Sequence, residues 1–353
     1  MTAVRAPVLE FALDAAHEAH EPPEARGVAR DAVRLLVSRG DDDPVDTRFR
    51  NLGHVLAPGD LLVVNTSATI PAAFDGRLPD GEPVAVHLSG NLPGGLWLVE
   101  VRRPHDGATA PLRLEHAVDI ALLAGGTVRL LAPFAASVRL WLAQLEVGQD
   151  VVRYAFAHGR PIRYRHVERD WPLSAYETIF AREPGSAEMP SASRPFTNRV
   201  VTDLVTRGVL VAPLVLHTGV SSLEANERPY PERYLVPATT AATVNAVRAG
   251  GGRVVAVGTT VVRALATVTD ERASVHPGEG WTEVVVTPEN PVASVDGLVT
   301  GWHEPESSHL MMLEAFAAAP TLQRAYDAAL DLRYLWHEFG DSHLILREQD
   351  GRA

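Results

Sequence analysis

A glycine- and threonine-rich turn is the part of this chain best suited to hold a ligand. The apolar run Val254–Val257 is typical of a buried strand, and Gly258 ends it. Thr259 or Thr260 is then placed to cap a following helix. A strand, a tight turn and a helix N-terminus leave free backbone N–H groups that suit a carboxylate, a phosphate or another polar group. Arg263, one turn into the helix, would add a positive charge, but these residues do not identify the ligand.

Two histidines follow predicted strands at their carboxyl ends. His217 ends one strand and His303 lies just after another. Because the carboxyl ends of strands in an open α/β sheet face the ligand crevice, either imidazole could serve as a base there. A lone histidine at a strand end can also be purely structural. His303 and the nearby His309 match no metal-binding spacing, so we expect no metal site. Asp341 places a carboxylate after a glycine turn, which is a weak signal on its own.

A basic segment between residues 153 and 169 contains five arginines and two histidines. Gly159 and Pro161 keep its start from being helical, so its cations are expected on a loop or an edge. Planar guanidinium groups bind phosphate through two hydrogen bonds and stack on bases. The same arginines could instead form a solvated edge paired with Glu168 and Asp170. The residues leave both interpretations open.

The composition excludes several classes of chemistry. The 353 residues include no cysteine, and all 32 basic residues are arginine. Disulfides, thiolate nucleophiles, Schiff-base lysines and a phosphate-binding Walker lysine are therefore ruled out. The net charge of −12 argues against broad electrostatic binding of nucleic acid, although a local basic patch is compatible with it. No long apolar run or signal peptide is apparent, and we expect a cytoplasmic protein without a membrane segment.

The pattern of elements predicts an α/β domain formed from both ends of the chain, with an inserted small antiparallel β-barrel. We assign residues 1–66 and 151–353 to the α/β domain and residues 67–150 to the barrel. Short alternating runs separated by Gly, Pro and Asp turns favour the barrel. The barrel strands we expect include Val84–Leu88, Leu96–Val101, Leu112–Leu114 and Thr127–Leu131.

Strands and helices alternate in the remainder of the chain, which favours an α/β sheet covered on both faces. Thr197 is predicted to cap a helix that starts at Asn198. Further strands are expected at Glu283–Thr287 and Gly297–Thr300, and helices near Ser308–Ala318 and Thr321–Asp331.

Several ordered motifs together carry a resemblance to a known family. They are Leu36–Arg39, Pro58–Thr66, Gly159–Tyr164, Tyr176–Ala181, Pro184–Ser186, Gly252–Thr260 with Arg263, and Phe339–Asp341. In this order, and over most of the chain, they resemble the S-adenosylmethionine:tRNA ribosyltransferase-isomerases of queuosine biosynthesis.

The resemblance implies S-adenosylmethionine as a co-substrate that donates its ribosyl group and not its methyl group. It implies a tRNA acceptor with 7-aminomethyl-7-deazaguanine at the wobble position. A sulfonium acidifies the neighbouring ribose C–H, so a positioned side-chain base can start the rearrangement. Adenine and methionine would then leave, and the amine of the tRNA base would be the nucleophile.

The resemblance also suggests residue roles. The polar groups expected around the donor are His217, Glu232 and His303, with Asp341 as a further candidate. The residues expected to bind the donor or an anion are Gly258, Thr259, Thr260 and Arg263. The arginines expected to face tRNA are Arg160, Arg163 and Arg165.

Polar positions in several motifs depart from the family pattern, and one loop does so most clearly. Ser193, Arg194 and Pro195 stand where the family has a segment containing histidine. Retention of scaffold positions with altered polar positions is expected when a fold is kept and its chemistry changes. Two alternatives therefore stay open at this point: a divergent enzyme that uses S-adenosylmethionine on a small molecule, and a binding protein without catalysis.

Overall fold

The structure is a computed structural model that describes residues 9–105, 108–134, 137, 139–220, 230–305 and 307–347. Its strands are β1 (Arg34–Arg39), β2 (Val45–Arg48), β3 (Leu61–Asn65), β4 (Ser67–Thr69), β5 (Ala73–Arg77), β6 (Pro83–Asn91), β7 (Leu96–His105), β8 (Ala108–Pro111), β9 (Asp119–Leu122), β10 (Thr127–Pro133), β11 (Leu140–Glu146), β12 (Glu183–Ser186), β13 (Leu210–Leu216), β14 (Glu232–Val236), β15 (Val254–Val257), β16 (Gly278–Thr282), β17 (Gly297–Thr300) and β18 (Ser342–Leu346). Its α-helices are α1 (Val151–His158), α2 (Asn198–Thr206), α3 (Ala238–Ala249), α4 (Thr259–Val268), α5 (Ser308–Glu314) and α6 (Ala319–Asp331).

The larger sheet has the strand order β16-β14-β13-β3-β15-β17-β18-β1-β2. The four central strands β13, β3, β15 and β17 run parallel to one another. Strands β14 and β16 extend one side in antiparallel pairing, and β18 joins β17 antiparallel on the other side. The parallel strands therefore bring their carboxyl ends to one edge, where a crevice for a ligand is expected.

Helices cover both faces of this sheet, as the apolar runs predict. Within β3, Leu61 and Val63 pack into a core formed with α3, α4, α5 and α6. The alternate residues Leu62 and Val64 pack on the opposite face, in a core shared with α2. A strand with both faces buried needs apolar residues at every position, which explains its continuous hydrophobic run.

The inserted unit is a closed antiparallel barrel of six strands. Strands β5, β6, β7, β11, β10 and β9 pair in a ring, and β8 pairs with β7 outside it. In β9, Ile120 and Leu122 are buried while Asp119 and Ala121 are exposed, the alternation expected of a barrel wall. The predicted fold class is confirmed. The barrel core also includes Tyr154 of α1, and the domain boundaries at 66 and 150 stay predictions.

Several local expectations were wrong. Residues Leu112–Leu114 form no strand, and β8 precedes them. Residues Glu283–Thr287 also form no strand, because β14 pairs with Gly278–Thr282 instead. The backbone of this segment instead binds a side chain, because the carbonyl of Val284 accepts a hydrogen bond from Nε of Arg263 at 3.2 Å.

Other local expectations were confirmed. Thr197 caps α2 by accepting a hydrogen bond from the N–H of Val200 at 3.3 Å. Within the described residues, no helix is long and apolar enough to cross a membrane.

Candidate active site

A cavity of about 750 Å³ opens at the carboxyl ends of the parallel strands, between the sheet and the barrel. The loops that follow β13, β15 and β17 line one side, and Ser89, Gly90, Asn91 and Trp97 of the barrel line the other. Its volume lies in the range of small-molecule sites. Eight of the eleven predicted site residues line it: His217, Glu232, His303, Gly258, Thr259, Thr260, Arg263 and Arg165.

Asn65, the last residue of β3, ties the strand ends together. Its Nδ2 donates to the carbonyl of Leu216 at 2.8 Å and to Oγ1 of Thr260 at 3.3 Å. Its Oδ1 accepts from the N–H groups of Leu216 and Ser67, both at 3.0 Å. The side chain is fully buried, so these bonds satisfy a polar group that would otherwise be costly to bury.

The turn after β15 has the predicted shape but a different cap. Gly258 is the residue before α4, and its φ of 97° lies in a region that favours glycine. No side chain caps the helix, so the expectation that Thr259 or Thr260 caps it was wrong. Both threonines lie inside the helix and line the cavity. The N-terminus of α4 therefore faces the cavity and favours a negatively charged or polar group.

Arg263 and Glu232 form an ion pair in the cavity wall. Nη1 of Arg263 donates to Oε2 of Glu232, whose Oε1 accepts from the N–H of Gly219 at 3.0 Å. The other nitrogens of Arg263 donate to main-chain carbonyls, among them that of Thr282 at 3.2 Å. These contacts fix the guanidinium, so Arg263 holds Glu232 in place in the cavity wall. Its predicted role in binding the donor or an anion stays a prediction.

His217 is held by two serines. Its Nδ1 is hydrogen-bonded to Oγ of Ser67 at 2.7 Å, and Oγ of Ser67 contacts Oγ of Ser186 at 2.6 Å. The ring lies against Gly185, where a Cβ would come within 2.6 Å of it. Burial, and secondarily the charge of Arg233, lowers the pKa of His217 to about 4. The imidazole is therefore neutral at physiological pH, as a base must be.

His303 belongs to a group of rings below the loop after β17. Its Nε2 is hydrogen-bonded to Oγ1 of Thr300 at 2.9 Å, and its ring stacks on that of His309 with centroids 4.7 Å apart. Burial lowers its pKa well below the usual value, and the neighbouring His309, His343 and His337 lower it further. His303 is therefore also neutral near pH 7.

Asp341 lies outside the large cavity. Its carboxylate accepts hydrogen bonds from the N–H groups of Arg34 at 2.6 Å and Leu335 at 2.8 Å. Burial raises its pKa, and these two hydrogen bonds oppose that effect. The arrangement fastens the start of β1 to the loop before β18, which is a structural use of the carboxylate.

The three predicted arginines have different surroundings. Arg160 pairs with Asp75 of the barrel at 2.9 Å, and Nε of Arg163 pairs with Asp170 at 2.9 Å. Arg165 is exposed at the rim of the cavity and forms no hydrogen bond or ion pair with any described residue. Each interpretation of the basic segment therefore holds for some of these arginines. Arg160 and Arg163 are paired with carboxylates, whereas Arg165 is exposed to solvent at the cavity rim.

The loop that departs from the family pattern is part of the scaffold. Arg194 is buried, its Nη2 pairs with Glu24 at 2.9 Å, and its Nε donates to the carbonyl of Ala175 at 2.9 Å. Its guanidinium also lies over the ring of Phe339, 5.1 Å from the centroid. It therefore cannot replace an imidazole as a proton acceptor.

The basic segment contributes a histidine that sequence reasoning did not single out. His166 stacks on His337 with centroids 3.9 Å apart, and both rings line the cavity. Although burial lowers the pKa of His166, its 2.6 Å hydrogen bond to Glu338 outweighs this and raises the pKa overall. Ser67, Ser186 and Gly185 were likewise missed as site residues, although each lies in or beside a motif noted in the sequence.

Across the described ranges, no group of three or more His, Cys, Asp or Glu side chains is placed to hold a metal ion.

The fold and the cavity define an α/β protein with an inserted barrel, whose site holds neutral histidines and a fixed carboxylate. A family model described as "Queuosine biosynthesis protein" matches residues 8–345. The chain belongs to this family.

Named relatives agree along nearly the whole chain. An S-adenosylmethionine:tRNA ribosyltransferase-isomerase from Symbiobacterium thermophilum is 37% identical over 327 residues, 90% of this chain and 94% of the relative. One from Thermus thermophilus is 35% identical, covering 94% of this chain and 99% of the relative. A crystal structure of S-adenosylmethionine tRNA ribosyltransferase from Thermotoga maritima has a TM-score of 0.53 and 28% identity, covering 96% of this chain and 99% of that one.

Proposed function

We propose that this protein is an S-adenosylmethionine:tRNA ribosyltransferase-isomerase that acts in queuosine biosynthesis. It transfers and isomerises the ribosyl group of S-adenosylmethionine onto 7-aminomethyl-7-deazaguanine in tRNA. The observation that carries the proposal is the full-length similarity to proteins of that name, together with a cavity of suitable size at the strand ends. Similarity over nearly the whole chain favours this function over a small-molecule acceptor or a protein without catalysis.

The cavity contains the types of group that this chemistry requires. His217 and His303 are neutral near pH 7, and each has a ring nitrogen that is not engaged by its hydroxyl partner. In our proposal, these two rings are polar groups that surround the ribose and the sulfonium of the donor, where a neutral imidazole can assist removal of the ribose proton. Glu232, fixed by Arg263, presents negative charge on the same wall, which suits a cationic donor.

The donor and the acceptor enter from different sides in this proposal. The N-terminus of α4, at Gly258, Thr259 and Thr260, receives the carboxylate or another polar end of the donor. Arg165 at the rim contacts a tRNA phosphate, and Arg160 and Arg163 lie beside it on the same segment. We also propose that the protein works in the cytoplasm, where tRNA is available to a protein of this kind.

A release assay tests the proposal. The protein is incubated with S-adenosylmethionine, with and without tRNA carrying the deazaguanine precursor, and adenine and methionine are measured. We expect both products only when this tRNA is present, because its amine completes the reaction. Release without tRNA, or only with another acceptor, would instead indicate the small-molecule enzyme. Failure to bind S-adenosylmethionine would contradict every enzymatic interpretation.

A further inference from the structure

His309 lies beside His303 in the cavity wall and was expected at most as a poor metal ligand. The two imidazoles are stacked with nearly parallel planes, 10° between the rings and 4.7 Å between the centroids. His309 is the second residue of α5, two positions after the Ser307 cap, while His303 lies in the loop after β17. Both rings border the same cavity as Arg263 and the α4 N-terminus.

Each ring has one nitrogen that a ligand can reach. Nε2 of His303 is bonded to Thr300, and Nδ1 of His309 lies 3.3 Å from Oγ of Ser307. The opposite nitrogens, Nδ1 of His303 and Nε2 of His309, contact no hydrogen-bond partner among the described residues. Neither is among the buried, unpaired polar atoms of those residues. Since both rings line the cavity, these two nitrogens are accessible from it.

The partners of the bonded nitrogens are hydroxyl groups, and this matters for proton transfer. A hydroxyl either donates or accepts a hydrogen bond, so Thr300 and Ser307 hold each ring in either tautomer. Each ring can therefore present a lone pair or an N–H to the cavity without losing its anchor. An imidazole that takes up a proton and later releases it requires this freedom.

The surroundings favour at most one extra proton on the pair. Burial, and secondarily the charge of Arg263, lowers the pKa of His309 to about 4. The titratable rings that face His303 are His309, His337 and His343. Two charges at the observed ring separation would repel strongly, whereas a neutral ring stabilises a protonated one stacked on it. Because burial opposes protonation of both rings, a proton taken up by the pair is readily passed on.

We propose that His309, stacked on His303, carries a proton from the ribose of S-adenosylmethionine to the departing adenine. This inference rests on the function proposed above. The ribose C–H bond next to the sulfonium breaks, its electron pair stays on carbon, and Nε2 of His309 takes the proton. When the ribose–adenine bond breaks, its electron pair leaves on an adenine nitrogen, which receives that proton. The pair left on carbon forms a double bond to the neighbouring ring carbon as the bond from that carbon to the ring oxygen breaks. The pair of this broken C–O bond forms a carbonyl at the carbon that adenine leaves. The ring-opened sugar fragment keeps the sulfonium charge, and His309 ends neutral.

Two substitutions test this role. His309→Asn places an amide near the Nδ1 position beside Ser307 but removes the nitrogen that faces the cavity. We expect kcat for adenine release to fall by about a hundredfold or more, with KM for S-adenosylmethionine changed by less than about threefold. His309→Ala leaves space for free imidazole, and we expect added imidazole to restore at least about tenfold of the lost rate. The control is His276→Asn, which changes an exposed histidine outside the cavity and should behave like the unchanged protein.

The outcomes separate this inference from the proposed function. A kcat for His309→Asn within about threefold of the unchanged protein would overturn the role of His309 and leave the proposed function intact. So would a His309→Ala protein that binds S-adenosylmethionine normally but is not rescued by imidazole, since a structural role predicts that result. If the unchanged protein releases no adenine with its tRNA, the proposed function fails and this inference fails with it.

Discussion

Single residues in this site are defined as much by their partners as by their type. Arg263 was expected to add a free cation to the binding turn, yet its guanidinium is engaged by Glu232 and by main-chain carbonyls. The acceptors come from residues 230–232 and 282–284, which lie far from Arg263 in the sequence. Helical position alone could not reveal them. The same pairing gives the Glu232 carboxylate a hydrogen-bonded partner in a largely enclosed wall.

His343 shows how burial links a single residue to stability. It is fully buried, its Nε2 is bonded to Oγ of Ser38 at 2.8 Å, and its ring stacks on Trp302 with centroids 4.7 Å apart. Burial lowers its pKa to about 3. Below the ordinary pKa near 6.5 the unfolded chain binds a proton that the folded chain does not. Its contribution to stability is therefore complete above about pH 6.5 and is lost as the pH falls toward about 3.

We predict that replacing His343 makes the free energy of unfolding depend less on pH below neutrality. The double variant Ser38→Ala/His343→Met removes the titrating ring without leaving the buried hydroxyl unpaired. Between about pH 8 and about pH 5 the unchanged protein should lose about 2 kcal/mol more of its free energy of unfolding than the variant. Urea unfolding at the two pH values measures this difference. Equal losses in the two proteins would show that His343 is not the titrating group.

At the scale of elements, the strand-end loops were predictable where a short motif determines them. The strand Val254–Val257, the glycine after it and the cap at Thr197 were all predicted, because each depends on a few neighbouring residues. The strand at Gly278–Thr282 was missed, because its place depends on pairing with β14. This tertiary pairing outweighs the β propensity of the valines that follow Thr282.

The side chain of Asn65 holds the strand-end loops in position relative to one another. It joins the ends of β3 and β13 to the start of α4 through buried hydrogen bonds. We predict that Asn65→Ala lowers the free energy of unfolding by about 3 kcal/mol, because it leaves main-chain groups of Leu216 unpaired in the interior. It should also reduce kcat/KM, because His217 directly follows Leu216.

Denaturant unfolding and the release assay measure these two effects. The control is Thr66→Val, which removes one hydroxyl bond to the carbonyl of Leu214 and should cost about 1 kcal/mol. If Asn65→Ala were no more damaging than this neighbour, the alignment role would be wrong.

At the scale of the whole molecule, the barrel and the sheet together make the cavity. The chain leaves the sheet after β3, and the barrel returns residues such as Ser89 and Trp97 to the opposite wall. Direct contacts connect the two. The N–H of Val220 donates to Oγ of Ser89 at 3.1 Å. Gly219 packs so closely against the same hydroxyl that a Cβ at this position would lie 2.7 Å from it. Composition and turn spacing predicted both units. Their mutual placement depends on such contacts across the cavity and could not be predicted from local patterns.

The central claim is that the ribosyl group, and not the methyl group, of S-adenosylmethionine reaches the tRNA. The direct measurement uses two isotopically labelled donors, one labelled in the ribose and one in the methyl group, with tRNA carrying the deazaguanine precursor. After digestion, mass spectrometry of the modified nucleoside locates the label. We predict that the ribose label enters the nucleoside while the methyl label stays in released methionine. Methyl label in the tRNA, or ribose label absent from it despite consumption of the donor, would contradict the account.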